Sequence, residues 1–122
     1  MGICGLGVDL VEVPRIKHLV EKWSDRFLER VFTDREIDYC LSNRRRYEHL
    51  SGRFAVKEAI IKAIGRKIPW KSIEVDSEPG GKPFARVSAQ ESGLPRVGKI
   101  HISITHTERY ALAIALLEDK TE

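Results

Sequence analysis

The segment Arg53-Phe-Ala-Val-Lys57-Glu58-Ala-Ile-Ile-Lys62-Ala-Ile-Gly65 constrains this chain most, because it reads as a partly buried helix that nevertheless carries a cluster of charges. Glu58 and Lys62 stand four apart and share a helix face with Phe54, Ala55 and Ile61, while Arg53 and Lys57 form a second pair one step around. Burying an ionised group costs on the order of several kcal/mol unless it is paired or holds a metal, so a core-facing Glu58 needs a partner. The best candidate is Asp9, delivered by the short apolar strand Ile3-Cys-Gly-Leu-Gly-Val-Asp9-Leu. Two hard carboxylates among cations point to a Mg²⁺ site for a phosphate compound, since Mg²⁺ takes one or two protein carboxylates plus waters and substrate oxygens. An ordinary i,i+4 ion pair from Glu58 to Lys62 has the same spacing, so the pattern leaves both readings open.

A chain of 122 residues makes one domain, 1–122, with a single core. No run approaches the roughly 18 apolar residues of a membrane span, and the N-terminus has no basic leader or cleavage signal, so a cytoplasmic protein off the membrane is expected. Cys4 and Cys40 have no metal spacing and are expected to be reduced core residues. The net charge of +3 suits an acidic protein partner, an anionic small substrate or nucleic acid. Acids at Glu12, Glu21 and Asp25 interrupt the basic clusters, and no exposed aromatic series accompanies them, so no nucleic-acid partner is expected.

Val13-Pro14-Arg15-Ile16 opens a helix with proline in its first turn. Ile16, Leu19, Val20 and Trp23 form its apolar stripe and leave Arg15, Lys17, Lys22 and Arg26 as a basic outer face. Phe27 to Phe32 continues as a short helical or irregular piece, and Thr33 with Glu36 forms a capping box for a helix ending near Ser42. Asn43 to Gly65 reads as a long helix interrupted near Ser51-Gly52, where glycine hints at close approach by a backbone or ligand. Ser72–Asp76 and Pro83–Val87 then form one hairpin, Ser88–Lys99 a loop, and Ile100–Thr105 with Tyr110–Leu117 a second hairpin. The order predicts α+β, with an antiparallel sheet packed on a long helix.

Ser103-Ile-Thr105-His106-Thr107 collects hydroxyls and an imidazole where a strand meets a turn, a place that can bind phosphate. There is no G-x-S-x-G elbow to support a hydrolase. Gly80-Gly81-Lys82-Pro83 lacks the P-loop frame and reads as a hairpin turn.

Taken together, Gly5-Leu-Gly-Val-Asp9-Leu-Val-Glu-Val-Pro-Arg15, Gly52-Arg53-Phe-Ala-Val-Lys57-Glu58-Ala-Ile-Ile-Lys62 and Ile102-Ser-Ile-Thr-His106-Thr, with Gly81-Lys82-Pro83 as a fourth segment, resemble the holo-acyl-carrier-protein synthase branch of the 4′-phosphopantetheinyl transferase superfamily. The resemblance implies that family's fold and Mg²⁺-dependent transfer of 4′-phosphopantetheine from coenzyme A to a serine of apo-acyl carrier protein, leaving adenosine 3′,5′-bisphosphate. Asp9 and Glu58 would hold Mg²⁺, and Lys62 would contact the transferring phosphate. Arg53 and His106 would grip the 3′-phosphate and adenosine end of coenzyme A, with Gly81, Lys82 and Pro83 lining that cleft. Arg15, Lys22 and Arg26 would dock the acidic carrier protein, whether from fatty acid synthesis or another pathway. A homotrimer with sites between subunits is implied as well. Candidates for the general base are a metal-bound water oriented by Asp9, a carrier-protein carboxylate, or Glu58 itself. After Gly65 the family's longer glycine-rich loop is replaced by Arg66-Lys67-Ile-Pro69-Trp70, so Arg66 or Lys67 is expected to supply a phosphate contact there.

Overall fold

In the computed structural model, which describes residues 2–88 and 97–120, the chain runs β1 (Ile3–Glu12), α1 (Val13–Trp23), α2 (Asp25–Val31), α3 (Asp34–Leu41), α4 (Arg46–Ile64), a short 3-10 turn (Trp70–Ser72), β2 (Ile73–Ser77), β3 (Pro83–Val87), β4 (Val97–His106) and β5 (Tyr110–Asp119). The expected α+β order holds, but the strands divide into two antiparallel sheets: β1-β5-β4, with the first strand beside the last, and the hairpin β2-β3.

A seam of small residues seats α4 on the larger sheet. Ala111, Ala113 and Ala115 of β5 and Ala55, Ala59 and Ala63 of α4 are buried, and a Cβ added at Gly7 or Gly5 would fall on the carbonyl oxygen of Ala59 or Ala63. Only glycine lets β1 approach the helix backbone this closely. Because side chains alternate along a strand, Gly5, Gly7, Asp9 and Val11 face α4, and Leu6, Val8 and Leu10 face away.

That outer face is apolar and bare in the single chain. Leu6 is 61% exposed, Val8 52% and Leu10 60%, and they stand opposite Leu116, Ile114 and Leu112 of β5. Contiguous apolar surface of this kind marks an interaction face.

Several expectations need correction. Helix α4 runs unbroken through Ser51-Gly52, where an added Cβ would crowd the Ile104 side chain at 3.3 Å and no other backbone, and Gly52 itself lines a cleft. Its buried positions include the runs Leu50 to Arg53 and Ala55 to Lys57, so the helix is enclosed on most sides and not amphipathic in the simple sense. Strand β4 begins at Val97, which makes 97–99 part of a strand, while 89–96 of the expected loop lie outside the described residues. Cys4 is exposed and only Cys40 is buried, its thiol pushed up to about 11 chiefly by burial. Trp23 of the α1 stripe is 44% exposed. Arg26 belongs to α2, not to the helix that carries Arg15 and Lys22, because the backbone turns at Ser24 (φ 51°), a left-handed conformation uncommon for a residue with a Cβ.

The capping box at Thr33 forms as expected: Glu36 N–H donates to Thr33 Oγ1 at 3.3 Å, and Thr33 N–H to Glu36 Oε1 at 2.8 Å. Glu36 also accepts from Lys57 Nζ at 2.6 Å and, on its other oxygen, from Val75 N–H at 2.7 Å. Lys57 donates further to the carbonyls of Val31 (2.7 Å) and Trp70 (3.1 Å). Neither side chain of this pair reaches solvent; burial lowers the Lys57 pKa and the Glu36 carboxylate opposes that shift. The node ties α3, α4, the 3-10 turn and β2 into one body. Among the described residues no helix is long and apolar enough to cross a membrane.

Candidate functional site

Following β1 along α4, Gly5 lies against Ala63 and Gly7 against Ala59 and Ala63, so the strand carries Asp9 to the turn that holds Glu58 and Lys62. Lys62 Nζ donates to Asp9 Oδ1 at 3.0 Å and to the Val8 carbonyl at 3.1 Å. The lysine therefore pairs across elements with Asp9, not within the helix with Glu58. Glu58 Oε2 instead accepts from the indole N–H of Trp70 at 2.9 Å. Asp9 is mostly enclosed, its side chain 15% exposed, while Lys62 at 57% remains open to solvent.

Glu58 also lines a groove of about 550 Å³ together with Phe54, Trp70, Leu19, Trp23 and Phe27, and with Arg15, Arg26 and Arg30. The groove has an apolar floor and a cationic wall contributed by α1 and α2. Lys22 lies outside it, with its ammonium 5.2 Å from the Trp23 ring centre, and Arg26 lies 5.8 Å from the same ring. Of the three residues expected to meet a partner, Arg15 and Arg26 thus share a surface with Glu58, and Lys22 borders it.

A second cleft opens on another side of α4. Arg53, Gly81, Pro83 and His106 all line it, with Tyr39, Glu48 and His49. Gly81 is in the left-handed region (φ 94°), which lets the Glu78 to Lys82 turn close through N–H bonds of 2.8 Å. Lys82, expected to line the cleft with its neighbours, is not among the lining residues: the turn uses its carbonyl and leaves the residue exposed. Arg53 is only 7% exposed, stacks 4.4 Å from the Tyr39 ring centre, has no hydrogen-bond partner at Nε, and forms no ion pair among the described residues. A buried guanidinium left without an anion demands one.

His106 Nδ1 bonds Glu48 Oε1 at 2.8 Å and sits 6.1 Å from the His49 ring. His49 has a lowered pKa, first from burial and then from Arg53 and His106. Ser103 and Thr105 face away on the outer side of the sheet, so of the hydroxyl and imidazole cluster only His106 turns into this cleft. Thr107 Oγ1 is engaged in the hairpin turn, accepting from the N–H groups of Arg109 and Tyr110.

Arg66 and Lys67 line neither the groove nor the cleft. Sequence reasoning missed Glu48 and His49, which carry no motif spacing, and Arg30, whose place depends on the bend at Ser24. It also missed the hydrogen bond from Trp70.

Asp9 and Glu58 are hard oxygen donors, the ligand type of a divalent cation that fills its remaining positions with water and substrate oxygens. No group of three or more His, Cys, Asp and Glu side chains suited to a metal occurs among the described residues. The ammonium of Lys62 stands on the Oδ1 side of Asp9.

Comparison with known proteins matches residues 5–115 to the model of the 4′-phosphopantetheinyl transferase superfamily. A holo-[acyl-carrier-protein] synthase of Halothermothrix orenii is 43% identical, covering 96% of this chain and 98% of its own. One from Koribacter versatilis is 44% identical over 96% and 99%. Among solved structures, the synthase of Bacillus anthracis in complex with CoA (3′,5′-ADP) has a TM-score of 0.81 and 32% identity, covering 99% of this chain and 100% of that one. The Neisseria meningitidis synthase has a TM-score of 0.87 and 28% identity over 95% and 98%.

Proposed function

The chain belongs to the 4′-phosphopantetheinyl transferase superfamily, and on that premise we propose that it moves the 4′-phosphopantetheine arm from coenzyme A to a serine of apo-acyl carrier protein, leaving adenosine 3′,5′-bisphosphate. The observation that carries this reading is Arg53: a buried, anion-less guanidinium in a cleft shared with His106, Gly81 and Pro83 suits the phosphorylated adenosine end of coenzyme A. The solved relative from Bacillus anthracis, which was crystallised with CoA (3′,5′-ADP), supports the same substrate.

Asp9 and Glu58 are the residues that would hold Mg²⁺, which when bound would offset negative charge on the pyrophosphate. Lys62, open to solvent at the same place, supplies a second positive charge to the transferring phosphate. Arg15, Arg26 and Arg30 around the apolar groove suit an acidic helix of the carrier protein, with Lys22 on the rim. The cytoplasm is the proposed setting.

The groove with Glu58 and the cleft with Arg53 share no lining residue. A substrate that needs both therefore calls for a second copy to complete the site. The bare apolar face of β1 and β5 offers the contact surface, and we take the assembly to be a homotrimer with sites between subunits.

Incubating the protein with apo-acyl carrier protein, coenzyme A and Mg²⁺ tests the reaction by intact mass. The carrier should gain one phosphopantetheine, and EDTA or Glu58→Gln should prevent it. Coenzyme A binding with no mass gain on any carrier protein would refute the transferase reading. Arg53→Ala and Glu58→Gln chains, each inactive, should regain activity when dissociated and reassembled together. No recovery would count against a site divided between copies.

A further inference from the structure

Trp70 stands where the short segment after α4 returns to that helix, and two separate bonds fix it. Its backbone carbonyl accepts from Lys57 Nζ at 3.1 Å, and that ammonium is itself held in the core by Glu36 and the Val31 carbonyl. Its indole N–H donates to Glu58 Oε2 at 2.9 Å, and its ring lies 6.0 Å from that of Phe54. The indole can donate but never accept, so Glu58 meets it through a carboxyl oxygen as acceptor. It occupies one lone-pair site of Oε2 and leaves the Oε1 side of the carboxylate available to a cation.

We propose that Trp70 is a positioning residue for Glu58: the indole, anchored through its backbone to the buried Lys57 and Glu36 pair, holds the carboxylate in the orientation in which it receives a divalent cation. The proposal rests on the reading of Glu58 as a metal ligand and extends it to a residue with no charge. It also gives the core node a role at the site, since the ammonium that ties the helices together also fixes the residue that aims Glu58. Partners that orient ligands from behind commonly govern metal affinity by about 10- to 100-fold when lost.

The test measures Mn²⁺ affinity by electron paramagnetic resonance on the full chain in the presence of coenzyme A, after circular dichroism has shown each variant folded. Trp70→Phe should weaken Mn²⁺ by about tenfold, and Trp70→His, which restores a ring N–H, should recover part of the loss. If Glu58→Gln binds Mn²⁺ as tightly as the parent, the reading of Glu58 as a ligand fails. If Glu58→Gln is weakened while Trp70→Phe is unchanged, or while Trp70→His is no better than Trp70→Phe, the positioning role alone is overturned. Should Trp70→Phe not fold, the parent chain still decides. It has two tryptophans, and Trp23→Phe identifies their indole ¹H–¹⁵N signals. The Trp70 signal should move on addition of Mg²⁺ in the parent and stay still in Glu58→Gln, and a Trp70 signal unmoved in the parent overturns the proposal.

Discussion

Lys57 and Lys62 lie five residues apart on the same helix and each pairs with one carboxylate, yet they do opposite things. Lys57 is sealed from solvent with Glu36, and three oxygen acceptors surround its ammonium. Lys62 is 57% exposed, holds Asp9 and one carbonyl, and has water at hand to replace either. An ion pair with no access to water becomes a fixed joint, because breaking it strands a charge in the core. One at the rim can exchange its partner for a substrate phosphate at little expense in stability. The difference between a structural and a reactive lysine here is thus one of surroundings and not of residue type.

The largest expected effect comes from opening the sealed pair. Lys57→Met leaves the Glu36 carboxylate buried alone and should lower unfolding stability by about 3–5 kcal/mol in urea titration. Adding Glu36→Gln should return part of it, and a double variant no more stable than the single would break the contrast. Lys62→Met should lose less than about 1 kcal/mol of stability, as exposed pairs do. Its turnover should nevertheless fall by about 10²–10³ with the fold intact; equal losses in both assays would erase the distinction between the two lysines.

The same contrast of covered and uncovered surface applies to apolar residues. Val8→Lys with Ile114→Glu should shift sedimentation from the proposed assembly to single chains without unfolding them, because both positions are exposed in the single chain. An unchanged mass would remove this face from the interface. The smallest effect concerns Glu74, whose carboxyl is held below its ordinary range first by the Thr33 hydroxyl and then by Arg86. A carboxyl lowered in the folded state adds stability above its unfolded value, near pH 4.3, and loses it as the pH falls through the folded one. Stability should therefore decline over that acid range, and Glu74→Gln should flatten the decline.

Local signals in the sequence were legible. Pro14 opens α1, Thr33 and Glu36 cap α3, Gly65 ends α4 with φ 88°, and alternation marks both hairpins. The sequence set Asp9 against Glu58 and Lys62 against either Glu58 or a phosphate, whereas the structure bonds Asp9 to Lys62 and Glu58 to the Trp70 indole. What could not be read was the far end of each long-range bond. Periodicity put Lys57 beside Arg53, but only tertiary packing shows that one finds Glu36 while the other meets no anion among the described residues. The expected break at Gly52 came from weighing glycine's helix propensity alone; the helix is continuous, and the nearest atom to a Cβ there is in the Ile104 side chain of β4. The basic face was read as belonging to one helix because the turn at Ser24 uses a conformation that serine rarely adopts.

Glu36 also carries a record of the order in time in which this chain can assemble. One of its oxygens serves the neighbouring cap at Thr33, a partner three residues away that is within reach as soon as α3 has been synthesised. The other waits for Val75, thirty-nine residues further on. Loop closure makes the near contact entropically cheap and the distant one slow. During refolding, the amides of α3 should accordingly gain protection from hydrogen exchange before that of Val75, making the docking of β2 a late event that locks the buried lysine in place.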